Sequence, residues 1–306
     1  MTKLLLVSGN ANLPLSEKIA KRLNQRLGKT LISQFGDGET RVEILEPVRD
    51  RNVYIIQPTS MPTNHHTMEL LLIADALKRA EAYRIIAVIP YFGYARQNKP
   101  LDSIIAPISA KVVADLLKTV GIDHVITVDL HTEPGDIFFE KSIHNLSTTQ
   151  LFLDDLIETM SHKKDFNPLV VSPDTGGVAR AKAFAKKLNN SELVVIDKHR
   201  PNPNDVKIRN MSGNVKDRDC VIIDDMIDTG NTLCSAARAL KAEGAGSVIA
   251  YITHPVLSGE AVKNVGDSSI DELVVTDTIV LSAAAKACKK IRVHSVAMLI
   301  AKEIAR

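Results

Sequence analysis

The chain has 306 residues, about twice the length of a common domain, so we expect two domains, each with a core of its own. Its 38 basic and 36 acidic residues leave a net charge of +2, which gives no electrostatic signature of binding to nucleic acid or an anionic membrane. Three irregularly spaced cysteines disfavour a disulfide framework or a zinc site.

Ten short apolar runs are predicted to be β-strands, and helical patterns follow most of them. In chain order they cover residues 4–7, 31–35, 53–57, 85–89, 125–128, 169–172, 193–196, 220–223, 248–252 and 273–275. Continuous rather than alternating hydrophobicity favours strands that are covered on both faces, and interleaved helices imply right-handed βαβ connections. The predicted class is α/β, with the strands divided five and five between two mainly parallel sheets flanked by helices.

The cleanest domain boundary is predicted near His144. The apolar residues of segment 138–145 show no clear periodicity, and segment 148–159, with a helical pattern, begins the second half. The last helix, about 295–306, is a candidate to rejoin the first domain. The N-terminal run 4–7 is too short for the core of a signal peptide, and no apolar run could span a bilayer, so we expect a cytoplasmic protein.

Three strand ends in the first half carry distinctive residues, and the carboxyl ends of parallel strands are where chemistry gathers. The segment 36–41 contains Asp-Gly, which favours an ordinary solvated turn. The segment 90–97 combines three aromatic residues with Arg96 and Gln97, which suits either a nucleotide-binding loop or a packed loop. His131 follows a carboxylate at a strand end and suits a metal ligand or a general base, although a lone histidine is more often structural.

Two further strand ends in the second half indicate phosphate chemistry. Asp174-Thr175-Gly176-Gly177 follows one of them; paired glycines let backbone amides approach a diphosphate, and the carboxylate could hold a cation. The next predicted strand ends at Ile196 and leads to Asp197-Lys198-His199-Arg200, at the root of a polar, proline-rich loop. Two cations there could close over phosphates, although charge clusters are usually solvated.

The most informative stretch is 221–232, in which a buried strand runs into Asp224 and Asp225 and then into a loop of small residues. The Thr232 hydroxyl is predicted to cap the helix that follows. Such a loop offers backbone N–H groups and a helix dipole to a phosphate. Because two like charges 4 Å apart repel by about 1 kcal/mol even in water, the acidic pair should instead meet sugar hydroxyls or a metal. Together these features predict a site for a phosphorylated ribose.

In combination, these motifs resemble the ribose-phosphate pyrophosphokinases, which synthesise phosphoribosyl diphosphate (PRPP). The resemblance covers segments 35–39, 90–97, 107–117, 128–133, 174–181, 197–200 and 221–232. It implies two phosphoribosyltransferase-type, Rossmann-like domains, 1–143 and 144–294, and a requirement for Mg2+. It also implies transfer of the diphosphoryl group of ATP to the C1 hydroxyl of ribose 5-phosphate, with release of AMP.

The resemblance also implies roles for individual residues. Those implied to bind ATP, in part across a subunit boundary, are Phe35, Asp37, Gly38, Glu39, Arg96 and Gln97. Those implied to bind ribose 5-phosphate are Arg200, Asp224, Asp225, Asp228, Thr229, Gly230, Asn231 and Thr232. The implied diphosphate loop is Asp174, Thr175, Gly176 and Gly177, and the implied Mg2+ ligands are His131 and Asp174. Lys198 and Arg200 would stabilise the charge that develops as the bond to the β-phosphorus breaks.

The chain departs from the family pattern in three places. Segment 98–105 stands where the family usually has an Asp and an Arg-rich run. Ser142 and His144 stand where Pro and Asp are usual. The sequence ends at Arg306 without the Ser-containing tail that regulated family members carry. These places belong to the usual site for regulation by ADP and phosphate, so the sequence leaves that regulation open. It also leaves open the nucleotide preference and the oligomer beyond a homodimer that shares the ATP site, with a hexamer as the larger alternative.

Two other functions compete with this prediction. A phosphoribosyltransferase that consumes PRPP shares the 221–232 motif, but it is expected to be shorter and to lack the stretches 94–97 and 129–131. A catalytically silent, synthetase-like scaffold is disfavoured because Lys198 and Arg200, together with the predicted metal ligands, are retained. The expected partners are ATP, ribose 5-phosphate and a second copy of the chain, without nucleic acid or membrane.

Overall fold

In a computed structural model the chain forms two compact units. The first comprises residues 1–147, 278–280 and 295–306, and the second comprises 148–277 and 281–294. The residues described are 4–98, 105–131, 135, 143–160, 163, 166–202 and 205–306, with only the backbone described for 197–202 and 205–210.

The first unit is built on a five-stranded, fully parallel sheet in the order β1-β4-β5-β6-β7. Its strands are β1 Leu4–Ser8, β4 Asn52–Ile56, β5 Arg84–Ile89, β6 His124–Val128 and β7 Ile143–Leu146, and an antiparallel hairpin is formed by β2 Thr30–Gln34 and β3 Thr40–Ile44. The helices are α1 Leu13–Arg22, α2 Thr63–Arg79, α3 Ser109–Thr119 and α9 Ala297–Ile304. Consecutive residues of the central strands are buried, as expected for a sheet covered on both faces.

The last helix of the chain completes the first unit. α9 packs against α1, and its buried face is Ala297, Ile300, Ala301 and Ile304. At the N-terminus of α1 the Asn12 side chain caps the helix by accepting the Leu15 backbone N–H at 3.2 Å. Residues from the far end of the sequence therefore belong to the same unit as the N-terminal strand.

The second unit contains a seven-stranded sheet in the order β10-β9-β8-β11-β12-β13-β14, in which only the edge strand β10 is antiparallel. Its strands are β8 Pro168–Ser172, β9 Leu193–Asn202, β10 Asp205–Met211, β11 Asp219–Ile227, β12 Ser247–Pro255, β13 Glu272–Thr276 and β14 Ile291–His294. Its helices are α4 Thr149–Met160, α5 Val178–Lys187, α6 Asn231–Ala242, α7 Ala261–Asp267 and α8 Ala283–Ala287. The chain passes from β8 to β9 on one side and returns to β11 on the other, which places a topological switch point between β8 and β11.

A charged network lies in the core of the second unit. The Asp155 carboxylate of α4 accepts hydrogen bonds from Arg292 Nη1 and Nη2 at 2.6 and 2.8 Å and from the Tyr251 hydroxyl at 2.9 Å, and His294 Nδ1 lies 3.2 Å from it. Burial alone raises the pKa of Asp155, but the hydrogen bonds from Arg292 and Tyr251 outweigh burial and leave the pKa below its ordinary value. We name Asp155, Tyr251, Arg292 and His294 the core network.

The α/β class is confirmed, and each of the ten predicted strands is present. The even division into five and five is wrong: β2 lies in a hairpin outside the main sheet, and four further strands, β3, β7, β10 and β14, were not predicted. These four carry polar or alternating residues because they lie at sheet edges or in hairpins, where one face meets water.

The three cysteines are free thiols: Cys220, Cys234 and Cys288. In the described part of the chain no helix has the length and hydrophobicity needed to cross a membrane.

Candidate functional site

Two loops of the second unit meet at its switch point. One joins β8 to α5 and contains the predicted diphosphate loop, and the other joins β11 to α6 and contains Asp228–Thr232. Because β8 and β11 are neighbouring parallel strands, their carboxyl ends open at the same edge of the sheet. In open α/β sheets this crevice is the usual ligand-binding position.

The predicted diphosphate loop is held by its own side chains. Ser172 Oγ donates to the Asp174 carbonyl at 2.7 Å, and the Gly177 N–H donates to Asp174 Oδ1 at 3.0 Å. A methyl group on Gly177 would lie 3.1 Å from Ser172 Oγ and 3.7 Å from Oδ1 of both Asp174 and Asp224. One oxygen of each carboxylate thus lies near Gly177, while Thr175 and Gly176 are exposed and accessible to a ligand.

The acidic pair lies inside β11 and not in a loop after it. The expectation that the strand ends at Ile223 is wrong because β12 continues alongside β11 and pairs with it as far as Ile227. Asp225 is buried, and the Asp224 side chain is 16% exposed. Asp224 Oδ1 also accepts the backbone N–H of Asp225 at 2.9 Å. The pair is therefore part of the rigid sheet.

Arg180, in the first turn of α5, bridges this pair. Its Nη1 lies 3.2 Å from Asp224 Oδ1 and 3.1 Å from Asp225 Oδ1. Burial, followed by the neighbouring Asp225 carboxyl, raises the pKa of Asp224 well above its ordinary value, and the charge of Arg180 opposes that rise. Such a strongly perturbed carboxyl in a cleft is typical of a functional site.

The loop after β11 is braced from the segment that follows β12. The Ser258 backbone N–H donates to the Asp228 carbonyl at 3.1 Å, and Ser258 Oγ donates to the Asp228 carboxylate. Asn264 Nδ2 donates to the Thr229 carbonyl at 3.2 Å. These bonds fix the loop while Thr229 and Asn231 remain exposed.

The N-cap of α6 is Gly230 and not Thr232, so the predicted capping role of the threonine hydroxyl is wrong. Gly230 has φ +77°, a left-handed conformation that glycine adopts at low cost. Thr232 is the second residue of the helix. The early N–H groups of α6 have no partners within the helix, which suits an anion at this end.

Lys198 and Arg200 lie within β9, which continues to Asn202, so the prediction that the strand ends at Ile196 is wrong. The continuation forms a hairpin with β10, in which Lys198 pairs with Ile208. The polar sequence hid this extension because a hairpin arm is stabilised by main-chain pairing with its partner. The side chains of both cations lie outside the described part of the structure.

In the first unit, the predicted ATP-binding residues Asp37, Gly38 and Glu39 form the turn of the β2–β3 hairpin. The Glu39 N–H donates to Asp37 Oδ1 at 3.1 Å, and Gly38 has φ +93°. Phe35 is 52% exposed, with the guanidinium carbon of Arg41 5.9 Å from its ring centre. This segment is an exposed turn with an accessible aromatic ring.

The segment after β5 is partly core. Tyr91 and Phe92 are buried, which agrees with the packed-loop alternative for these two rings. Arg96 is exposed, and Gln97 Oε1 accepts the Ser109 hydroxyl at 2.6 Å. Arg96 is therefore accessible to a ligand, while Gln97 is anchored to the start of α3.

His131 follows β6 and is exposed. The preceding turn is fixed because the Leu130 N–H donates to Asn145 Oδ1 at 2.9 Å. His131 belongs to the first unit and Asp174 to the second. Among the described residues no group of three or more His, Cys, Asp or Glu side chains could hold a metal ion by itself.

Sequence reasoning missed three residues that organise the site: Arg180, Ser258 and Asn264. Arg180 was one of several cations in a helix, and its position in the first turn after Gly177 was the available signal. Ser258 and Asn264 reach the loop from a distant segment, so no local spacing could have identified them.

Comparison with known proteins covers both units. The model for the N-terminal domain of ribose phosphate pyrophosphokinase matches residues 4–121, and that for the phosphoribosyl transferase domain matches 142–286. The ribose-phosphate pyrophosphokinase of Coxiella burnetii is 52% identical over 300 residues, covering 97% of this chain and 92% of that protein. The Haemophilus influenzae protein of the same name is 50% identical, covering 100% and 96%. The crystal structure of phosphoribosylpyrophosphate synthetase from Mycobacterium smegmatis matches with a TM-score of 0.92 and 36% identity, covering 99% and 98%.

Proposed function

The chain belongs to the ribose-phosphate pyrophosphokinase family, and we propose that it transfers the diphosphoryl group of ATP to the C1 hydroxyl of ribose 5-phosphate. The O1–Pβ bond forms, the bond between the β-phosphorus and the α,β-bridging oxygen breaks, and AMP leaves with that oxygen while the hydroxyl loses its proton. One structural observation carries the proposal: the Asp174 loop and the Asp224–Thr232 stretch open at the same switch point.

The second unit binds ribose 5-phosphate in this proposal. The 5-phosphate lies against the braced loop Asp228–Thr232, where the N-terminus of α6 favours an anion. The sugar hydroxyls donate to Asp224 and Asp225, which are acceptors when ionised. This division places the phosphate on N–H donors and the hydroxyls on carboxylates, which removes the repulsion between carboxylates and phosphate.

ATP binds to the first unit through Arg96 and Gln97 and, from a second copy of the chain, through Phe35 and the turn 37–39. Three features support this assignment: the exposed Phe35 ring, the exposed turn and the accessible Arg96. An exposed ring can stack on a purine, and a guanidinium can pair with phosphate oxygens. A homodimer that shares the site follows from this part of the proposal.

Mg2+ fits the donors that the site offers. The Asp174 carboxylate lies beside the predicted diphosphate loop, and carboxylate oxygens are the ligands Mg2+ prefers. Mg2+ commonly uses one or two carboxylates together with substrate phosphates and water, so a complete protein cage is not required. We assign Asp174 and His131 as its protein ligands, and when bound the ion would neutralise charge on the transferring diphosphoryl group.

Lys198 and Arg200 would stabilise the charge that develops between the α- and β-phosphates. Replacing Lys198 with Ala is expected to lower turnover by about 100-fold or more while both substrates still bind, because removing one preorganised donor of this kind has that effect. The exposed Lys186 of α5 offers a matched control, since Lys186→Ala should retain activity. Near-normal turnover of the Lys198 variant would remove it from the mechanism.

The reaction is tested by incubating the protein with ATP, Mg2+ and ribose 5-phosphate and following the products by phosphorus NMR. Signals of AMP and of a diphosphate on C1 are expected. Formation of ADP would indicate transfer of a single phosphoryl group, and release of diphosphate from supplied PRPP with a purine base would indicate a phosphoribosyltransferase. Absence of turnover would favour a scaffold. Each of these three results contradicts the proposal.

A further inference from the structure

Arg180 is the third residue of α5, the helix that begins directly after the diphosphate loop. Its Nη1 crosses to β11 and contacts one oxygen of each member of the acidic pair, at 3.2 Å for Asp224 and 3.1 Å for Asp225. The Arg180 side chain is 25% exposed and the Asp225 side chain 4%. A single cation thus connects the element that follows the diphosphate loop with the strand that carries the acids.

This contact is unusual for a strand. Successive side chains of a β-strand point to opposite faces, so neighbouring carboxylates do not ordinarily meet the same cation. Here Asp224 Oδ1 is turned toward the next peptide, where it accepts the Asp225 N–H, and Arg180 holds both carboxylates in that arrangement. Without a cation, two close carboxylates in a buried position would repel each other and turn apart.

We propose that Arg180 is the positioning residue of the sugar site: it fixes Asp224 and Asp225 so that both accept hydrogen bonds from the hydroxyls of the ribose. This inference rests on the proposed function. Arg180 acts through the two carboxylates and not on the reacting atoms. It should therefore govern the affinity for the sugar phosphate more than the affinity for ATP or the rate of the chemical step.

Three variants test this role: Arg180→Gln, Arg180→Lys and the control Lys182→Gln, which changes an exposed cation two residues along the same helix. Steady-state kinetics are measured with each substrate varied separately. Arg180→Gln is expected to raise the KM for ribose 5-phosphate about 10-fold or more, because a hydrogen bond to a charged group contributes about 1.5–3 kcal/mol. The KM for ATP and the kcat should change by less than about threefold, and Lys182→Gln should match the unaltered enzyme.

Arg180→Lys is expected to restore part of the affinity. An ammonium keeps the positive charge but lacks the planar fork, so the KM for ribose 5-phosphate should lie between those of the unaltered enzyme and Arg180→Gln. This variant also keeps the test decisive if the glutamine variant does not fold. Thermal shifts caused by ribose 5-phosphate alone and by ATP alone give a second readout, in which only the sugar-phosphate shift should shrink.

Several outcomes would overturn the inference. An equal rise in both KM values, or a fall in kcat at constant KM, would mean that Arg180 acts on the phosphates. No kinetic change in Arg180→Gln, or a lysine variant no better than glutamine, would mean that the contact is only structural. If the unaltered protein forms no PRPP, the proposed function itself fails, whereas PRPP synthesis with a silent Arg180→Gln overturns this inference alone.

Discussion

Two carboxylates of the second unit, Asp155 in α4 and Asp224 in β11, are both little exposed but have opposite electrostatic environments. The Asp155 side chain is 8% exposed and the Asp224 side chain 16%. Arg292 and Tyr251 hold the pKa of Asp155 below its ordinary value in spite of burial. Burial and the adjacent Asp225 carboxyl raise the pKa of Asp224, and Arg180 only partly offsets them. The protein therefore stabilises the ionised form of Asp155 and destabilises the ionised form of Asp224.

These two environments indicate different roles: Asp155 stabilises the fold, whereas Asp224 is available to a ligand. Asp155 accepts two bonds from one guanidinium and a third from a buried hydroxyl, so donors within the protein match its charge. Asp224 lies inside β11 beside the like charge of Asp225, an arrangement that costs stability and leaves an acceptor for a ligand. A buried carboxylate with a raised pKa at a switch point is thus a better marker of function than burial alone.

The largest expected effect is on binding, from Asp224→Asn. Losing a charged acceptor should weaken the apparent affinity for ribose 5-phosphate by about 10- to 100-fold, because each such bond contributes about 1.5–3 kcal/mol. The melting temperature should stay the same or rise, since the repulsion from Asp225 disappears. Steady-state kinetics and thermal unfolding measure the two quantities. An unchanged affinity for ribose 5-phosphate would show that Asp224 does not bind the sugar and that it does not differ from Asp155 in this respect.

The next effect is on stability, from Asp155→Asn. Removing one member of a buried ion pair commonly costs 3–5 kcal/mol, but Arg292 is 35% exposed and can be rehydrated, so we expect about 2–3 kcal/mol. Urea unfolding followed by circular dichroism measures the loss. The adjacent, exposed Asp154 provides the matched control Asp154→Asn, which should be near neutral. A variant that lost sugar-phosphate affinity while keeping its stability would contradict the structural role of the core network.

The two sites should also respond oppositely to pH. A lowered pKa in the folded state gives Asp155 a stabilising contribution that is present above about pH 4 and is lost as pH falls through that lowered pKa. A raised pKa gives Asp224 the reverse effect: it leaves the free energy of unfolding unchanged below about pH 4 and lowers that free energy progressively as pH rises from there to the raised pKa. Stability curves of both asparagine variants against pH should therefore converge on the unaltered protein in acid, from opposite sides.

The smallest effect is expected from Tyr251→Phe. This change removes one hydrogen bond to Asp155 and leaves the ring, so it should cost about 0.5–1.5 kcal/mol of unfolding free energy. The kinetic constants for both substrates should not change. A loss as large as that of Asp155→Asn would show that the tyrosine, and not Arg292, is the main partner of the carboxylate.

The sequence predicted the ten apolar strands because burial on both faces requires continuous hydrophobicity, which is a local signal. It missed the β9–β10 hairpin and the extension of β11, since those residues are ordered by pairing with a distant strand. The strand order of the sheet cannot be read locally either. That order is what brings Asp174 beside Asp224 and lets Arg180 reach the acidic pair.

The candidate site was predicted in outline for similar reasons. Glycine, acid and small-residue clusters at strand ends are visible in the sequence, and they lie at the strand ends or adjoining turns of the structure. Whether an aromatic residue packs inside or remains exposed depends on tertiary context, so the sequence left the packing of Tyr91 and Phe92 open, and the structure buries both. The supporting residues Ser258 and Asn264 act across long separations in sequence.

Because α9 belongs to the first unit, that unit cannot be completed until the chain has been synthesised beyond the second unit. A ribosome releases residues 148–294, the whole span of the second unit, before it releases Ala297 and Ile300. Until then the surface of α1 that α9 covers meets water. The first unit can therefore be completed only after the whole of the second unit has been synthesised.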